Sequence, residues 1–301
     1  MVTILGPTAS GKTALAARLA YELDGEIISA DSRQVYRGMS IGTGKDLSEY
    51  TVNGKQIPYH LIDIVDPGYE YNVYEYQQDF IKTCLEITSR GKLPVLCGGS
   101  GMYLESVLKK YSMNRIDADK DFQDELNLKT DEELKALLIS LKTPHNTTDL
   151  LDRTRMIRSI LINRTSADKI AGPELPEEMP SHVFGIQWDR TVLRERITAR
   201  LKARLEQGMI EEVKELLKTG LTAEQIKFYG LEYRYIMLYL ENKMDFDEMA
   251  RLLNIAIHQF SKRQMTWFRK MERSGLAIHW IRGEMGLDDK AKEIFSVLNL
   301  K

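Results

Sequence analysis

Cysteine is nearly absent from this chain: Cys84 and Cys97 are the only two in 301 residues. Two cannot build a disulfide framework or a zinc site, and such usage fits a reducing cytoplasm, the expected compartment. No apolar run approaches the ~18 residues of a membrane span, so no membrane partner is expected. Met1 to Leu5 run straight into a glycine-rich loop, which leaves no room for a signal peptide. An excess of either charge is also missing, with 42 basic and 44 acidic side chains and a net charge of −2. Taken over the whole chain, that neutrality argues against a nucleic-acid partner. There are no repeats and no low-complexity tracts, and 43% hydrophobic with 29% charged residues excludes intrinsic disorder.

What is present reads as alternating strands and helices. Val2–Leu5 is a short apolar strand, and Leu15, Leu19 and Leu23 give the segment from Lys12 helical spacing. Glu26–Ala30 is a second strand. Apolar residues at 73, 76, 80, 84 and 87 mark an amphipathic helix stopped by Gly91, and Pro94–Cys97 is a third strand before a helix from Met102 to Leu108. This alternation predicts a parallel sheet. Past Tyr111 the pattern changes: residues 117–133 carry eight acids against Lys120 and Lys129, a balance of −6. Helical runs near 131–141 and 149–163 follow, closed by Pro173, Pro176 and Pro180. Val183–Trp188 resumes the sheet, and a long helical tail leads to a last strand at 277–281 and a helix at 287–298. The expected fold class is α/β, a parallel sheet flanked by helices and, with the glycine-rich Gly6-to-Thr13 loop ending in Gly11-Lys12-Thr13 between its first strand and helix, P-loop NTPase-like, with a mostly helical insertion domain. Residues 1–111 and 182–301 form the expected catalytic core, and 112–181 the insertion.

Gly6-Pro7-Thr8-Ala9-Ser10-Gly11-Lys12-Thr13 fits G-x-x-x-x-G-K-[ST] between a strand and a helix. Backbone N–H groups of such a loop point inward at an anion, and the helix N-terminus adds partial positive charge. Lys12 can reach terminal phosphate oxygens and the Thr13 hydroxyl can sit on Mg²⁺. The loop alone identifies only a diphosphate-bearing ligand. Triphosphate hydrolysis adds an acidic residue at a downstream strand end, yet the strand at 94–97 ends in Gly98-Gly99-Ser100, with a hydroxyl where a carboxylate is expected. Asp31, ending the second strand, is the carboxylate nearest in kind. It can be a Mg²⁺ partner, a proton acceptor or a helix cap.

Asp31-Ser32-Arg33-Gln34-Val35-Tyr36, the segment on to Gly42-Thr43-Gly44-Lys45, His60-Leu-Ile-Asp63 and Gly98-Gly-Ser-Gly-Met-Tyr-Leu104 together resemble the tRNA dimethylallyltransferases. So do Arg155-Met-Ile-Arg158, Leu193 to Arg200, and Lys262-Arg-Gln-Met-Thr-Trp267-Phe-Arg269. The resemblance spans nearly the whole chain and implies transfer of a dimethylallyl group from dimethylallyl diphosphate to N6 of an adenosine next to the anticodon, position 37. It implies Asp31 as general base, and Ser100, where the family usually has Thr, beside the reacting pair. Lys12, Arg196 and Arg200 would stabilise the diphosphate, Gly6 to Thr13 would bind it, and Thr13 would hold the Mg²⁺ cofactor. Asp31, Ser32, Arg33 and Gln34 would read the target adenine. Arg155, Arg158, Lys262, Arg263, Gln264 and Arg269 would hold the tRNA anticodon stem-loop, the enzyme acting as a monomer. The chain lacks the C-terminal zinc finger of eukaryotic members, implying the bacterial type. It departs from the family at Gly230-Leu-Glu-Tyr233-Arg234, where two residues separate the glycine from the Tyr-Arg pair.

Charge segregation fits an RNA partner better than net charge does. Residues 190–204 and 251–273 each carry a balance of +5, and 153–169 carry +4. Trp267 can stack on a base or pack in the core. Three other readings stay open at this stage: a prenyltransferase acting on free AMP, a P-loop small-molecule kinase and a non-catalytic RNA-binding module.

Overall fold

The computed structural model describes residues 1–111, 113, 120–141, 150, 152–164 and 180–300. Asp117, Asp119, Asp168, Lys169, Pro173 and Pro176, used in the sequence reading, lie outside them. The chain divides into two compact units, Met1–Lys110 with Glu174–Lys301, and Tyr111–Pro173.

The first unit begins with β1 (Val2–Leu5), α1 (Lys12–Glu22) and β2 (Gly25–Ala30). A hairpin of β3 (Thr51–Val52) and β4 (Lys55–Gln56) follows, then β5 (Tyr59–His60), α2 (Val73–Ser89), β6 (Leu93–Gly98) and α3 (Gly101–Leu108). In the second unit α4 (Lys120–Leu128), α5 (Asp131–Leu141) and α6 (Arg153–Arg164) pack around Leu126, Leu134, Leu138, Met156 and Ile160. Arg153 closes that small core, pairing with Asp131 at 2.6 Å and donating to the carbonyls of Asn127 and Lys129. The first unit resumes with β7 (His182–Gln187), α7 (Arg190–Glu206), α8 (Met209–Lys218), α9 (Ala223–Phe228), α10 (Leu231–Leu240), α11 (Phe246–Arg273), β8 (Ile278–Arg282) and α12 (Leu287–Val297).

Six strands form one parallel sheet in the order β5-β2-β6-β1-β7-β8. β1, β2 and β6 are buried on both faces, as parallel strands covered by helices are, and so read as continuous apolar runs rather than alternating ones. One core layer joins α1 and α12 to the sheet through Leu15, Leu19, Ile27, Val95 and Ile294; the other joins α2, α3 and α11 through Phe80, Leu96, Leu104 and Phe268. Both cysteines are buried within these layers. Burial pushes the Cys97 thiol up to about 12, which leaves it inert. Among the described residues no helix is long and apolar enough to cross a membrane.

Two features differ from the sequence reading. The edge strand β5 and the hairpin escaped it because their strands are two residues long, below the reach of any periodicity count; the Asn53-Gly54 turn was their visible mark. The long helical tail is five helices, α7 to α11. Gly208 and Gly220 stand at positive φ between the first three, where a side chain would be strained.

Candidate active site

In a parallel α/β sheet the strand ends on one side all open into the same crevice, and there the binding loops gather. Four adjacent strands supply this site. β2 leads into Asp31, β6 into Gly98-Gly99-Ser100, β1 into the phosphate loop, and β7 into Trp188. β6 comes so close to β2 that a Cβ on Gly98 would stand 2.2 Å from the Ala30 carbonyl.

The loop from Gly6 to Thr13 is braced from outside. Trp188 donates its indole N–H to the Ser10 carbonyl at 3.0 Å, and Arg196 lies over the Trp188 ring at 4.3 Å while its Nε donates to the Ala9 carbonyl at 2.9 Å. One turn on, Arg200 donates to the Thr8 hydroxyl at 3.3 Å and pairs with Asp46, which also accepts from Arg204 at 3.4 Å. The spacing of four on α7 thus puts both guanidiniums on one face against the loop. Lys12 rests near the Pro7 carbonyl at 3.5 Å, and burial lowers its ammonium pKa. Burial pushes the Asp46 carboxyl up, but the two arginines outweigh it and hold it below the ordinary value. Burial, then the neighbouring Asp46 charge, raises the Glu49 carboxyl, which borders the same cavity as Thr13. Ala9 to Thr13, Asp46, Glu49, Arg196, Arg200 and Arg204 border a cavity of about 420 Å³, large enough for a small diphosphate ester.

Beside the phosphate loop, Asp31 Oδ1 accepts the Arg33 N–H at 3.0 Å, which sets the carboxylate at the start of the turn. Ser100 Oγ accepts the Ser32 N–H at 2.9 Å and lies 3.2 Å from the Ser32 hydroxyl, so the β6 and β2 loops are joined. Below them Lys45 is fully buried, donating to the Tyr36 carbonyl and to Asp63 Oδ1 at 2.5 Å. Its segment is pinned further by Glu212, whose carboxylate accepts the N–H groups of Ser40, Ile41 and Gly42 and the Tyr233 hydroxyl.

The structure thus brings Lys12, Thr13, Arg196 and Arg200 to the phosphate loop, and joins Ser100 to the loop that starts at Asp31. The other residues named from the resemblance have the following surroundings. Gln34 has its amide engaged within the protein, accepting from Ser29 Oγ at 3.1 Å and donating to the Gly44 carbonyl at 3.0 Å. Gln264 is buried and bonds the phosphate loop. Arg33 lies over the Phe228 ring at 5.4 Å, and Arg263 over Phe260 at 6.0 Å. Lys262 and Arg269 border a second cavity of about 460 Å³ between α7 and α11, whose lining includes no acid. Arg155 and Arg158 are exposed on α6 in the second unit. Trp267 is neither wholly core nor free, since its indole N–H donates to the buried Glu105 at 2.8 Å. Tyr233 is buried behind Gly42, so the Gly230 to Arg234 segment puts its tyrosine inside the fold and Arg234 outside. Sequence reasoning missed Asp46, Glu49, Arg204 and Glu212, which lie on irregular or amphipathic segments without a chemical motif of their own.

Magnesium is the metal the phosphate loop implies. Among the described residues no three His, Cys, Asp or Glu side chains cluster to hold a metal unaided. The Thr13 hydroxyl and the Glu49 carboxyl border one cavity and offer hard oxygens that fit Mg²⁺, which commonly uses one or two protein oxygens and completes its shell with phosphate and water.

Comparison with known proteins shows the family. The family model described as IPP transferase matches residues 34–271. The tRNA dimethylallyltransferase 1 of Parabacteroides distasonis is 52% identical over 301 residues, covering 99% of this chain and 97% of that protein. The tRNA dimethylallyltransferase 2 of Bacteroides fragilis strain ATCC 25285 is 54% identical over 291 residues, covering 96% and 95%. The crystal structure of the full-length tRNA isopentenylpyrophosphate transferase from Bacillus halodurans superposes with a TM-score of 0.71 at 31% identity, covering 99% of this chain and 95% of that one. This chain, with its phosphate loop set against Asp31 and Ser100, belongs to the tRNA dimethylallyltransferase family.

Proposed function

We propose that this protein transfers the dimethylallyl group from dimethylallyl diphosphate to N6 of adenosine 37 in tRNA, beside the anticodon, and releases diphosphate. The observation that carries the reading is the joining of a cationic diphosphate cradle to a carboxylate loop at the C-terminal ends of adjacent central strands. The N6 lone pair attacks C1 of the donor, the C1–O bond breaks, and its electron pair leaves with the diphosphate. Asp31 takes the N6 proton, a role for which its place beside the phosphate loop suits it. Lys12, Arg196 and Arg200 stabilise the charge that grows on the leaving oxygens. The Ser100 hydroxyl, held on Ser32, keeps the Asp31 loop beside the donor. Thr13, on the cavity that Glu49 also borders, is the protein oxygen that would hold Mg²⁺; when bound, the ion supplies Lewis-acid stabilisation of the leaving group.

On the acceptor side, an adenine must leave its stack to meet Asp31, which an anticodon loop makes cheap. Ser32, Arg33 and Gln34 line its path; Gln34, with its amide engaged inside, shapes the loop that receives the base. Lys262, Arg263 and Arg269 on α11, and Arg155 and Arg158 on the helical insertion, contact the stem and loop. The core carries the chemistry and shares RNA capture with the insertion, in a cytoplasmic monomer. Labelled dimethylallyl diphosphate offered with tRNA or with AMP tests the reading. Label in tRNA supports it, and label only in AMP would move the protein to the free-nucleotide class.

A further inference from the structure

Gln264 lies on α11, far along the chain from either catalytic loop, yet its side chain touches both. It is 7% exposed. Its Oε1 accepts the Thr8 N–H at 2.9 Å, and its Nε2 donates to the Gly99 carbonyl at 2.9 Å. Thr8 belongs to the phosphate loop, and Gly99 precedes Ser100, the residue hydrogen-bonded to the Asp31–Ser32 segment. One neutral amide therefore spans the donor side and the acceptor side of the crevice.

The surrounding backbone is shaped to admit it. A Cβ on Gly99 would stand 2.5 Å from Gln264 Nε2, and one on Gly101 would stand 2.4 Å from Cγ of Trp267. Trp267 is three residues further along α11 and hence on the same face. Its bond to Glu105 ties that helix to α3 as well. Only an amide of this length offers both an acceptor and a donor at these two points, and with both ends engaged it has little left for an RNA contact.

We propose that Gln264 is a positioning residue for prenyl transfer. It holds the phosphate loop and the Gly99-Ser100 turn at a fixed separation, so that C1 of the donor meets the amine beside Asp31. This rests on the functional reading above. Displacement of reacting groups by about 1 Å costs on the order of 10²-fold in rate.

The test uses the full chain with Q264M, which keeps the volume and removes both hydrogen bonds, and G99A, whose Cβ would meet the amide at 2.5 Å and the Gly6 carbonyl at 3.1 Å, so that diphosphate affinity reads any shift of the phosphate loop itself. Three quantities are measured: inorganic diphosphate affinity by calorimetry, tRNA affinity by fluorescence anisotropy, and the single-turnover transfer rate with both substrates saturating. The expected result is affinities within roughly threefold of wild type and a rate lower by roughly 10–100-fold in each variant. Weakened tRNA binding with a normal rate at saturation would make Gln264 an RNA contact and overturn the proposal. Unchanged rates would overturn it too, as would affinities that fall together with no separate loss of rate. Should Q264M fail to fold, G99A decides by the same criteria. Wild-type transfer to tRNA is the control for the functional reading, so a working wild type with unaltered variants removes the positioning role alone.

Discussion

Replacing Lys45 by Met deletes a buried ammonium while keeping the length of its stem. The Lys45 side chain has no exposure to solvent, and its Nζ serves both the Tyr36 carbonyl and Asp63. Burial lowers its pKa, with the Asp63 contact working in the other direction, so the charge is retained at a cost that the pairing offsets. Removing one partner of a buried pair costs roughly 3–5 kcal/mol, because the remaining groups lose their solvation without replacement. Asp63 keeps 37% side-chain exposure, so water recovers part of that loss and the lower end, about 3 kcal/mol, applies. At roughly 2–4 °C per kcal/mol for a unit of this size, the thermal midpoint should fall by roughly 6–12 °C. The loss should reach function as well. Gly44, next to Lys45, accepts from Gln34, and Gln34 shares its loop with Asp31. Thermal unfolding followed by circular dichroism, with the transfer rate measured well below the midpoint, tests both parts. A midpoint shift below about 2 °C would refute the view that this pair anchors the Asp31 loop.

Three further outcomes follow from the site. Asp31→Asn keeps an oxygen for the Arg33 N–H, so diphosphate and tRNA affinities should hold while the rate falls by roughly 10²–10⁴-fold; near-normal turnover would remove Asp31 as the base. Burial lowers the Lys12 pKa from 10.5, so kcat/KM for the donor should fall on an alkaline limb lying below that value, and Lys12→Arg should move the limb upward. The same shift acts on stability with the opposite sign: between the folded and unfolded pKa values the unfolded chain binds more protons, so this group makes the fold more stable as pH rises through that window. Arg263→Ala should lower the salt dependence of tRNA binding by about one unit of slope if it neutralises a phosphate; an unaltered slope would leave it a solvated surface charge.

The parts of the site that follow a local rule were legible in the sequence. A glycine-rich loop between strand and helix needs only its own spacing, whereas Arg196 and Arg200 were picked out by resemblance, the four-residue period of a helix adding that they share a face. The apolar strands at 2–5, 26–30 and 94–97 declared themselves because both faces are buried. Gln264 was different: its partners Thr8 and Gly99 lie more than 160 residues away, and no local pattern encodes a contact of that range. The Asp46–Arg200–Arg204 cluster and the Lys45–Asp63 pair were hidden for the same reason, though the Gly42 to Lys45 and Asp63 segments drew notice through resemblance. Net charge was a poor guide. The sum of −2 conceals basic blocks on α7 and α11, and RNA binding responds to the local field.

The central claim is that a prenyl group reaches a tRNA adenosine. It is tested most directly by digesting tRNA to nucleosides after incubation with the protein and dimethylallyl diphosphate, then analysing them by mass. The account predicts an adenosine carrying one dimethylallyl group on N6, found only when protein, donor and tRNA are all present. Unmodified adenosine throughout, with the donor intact, would contradict it.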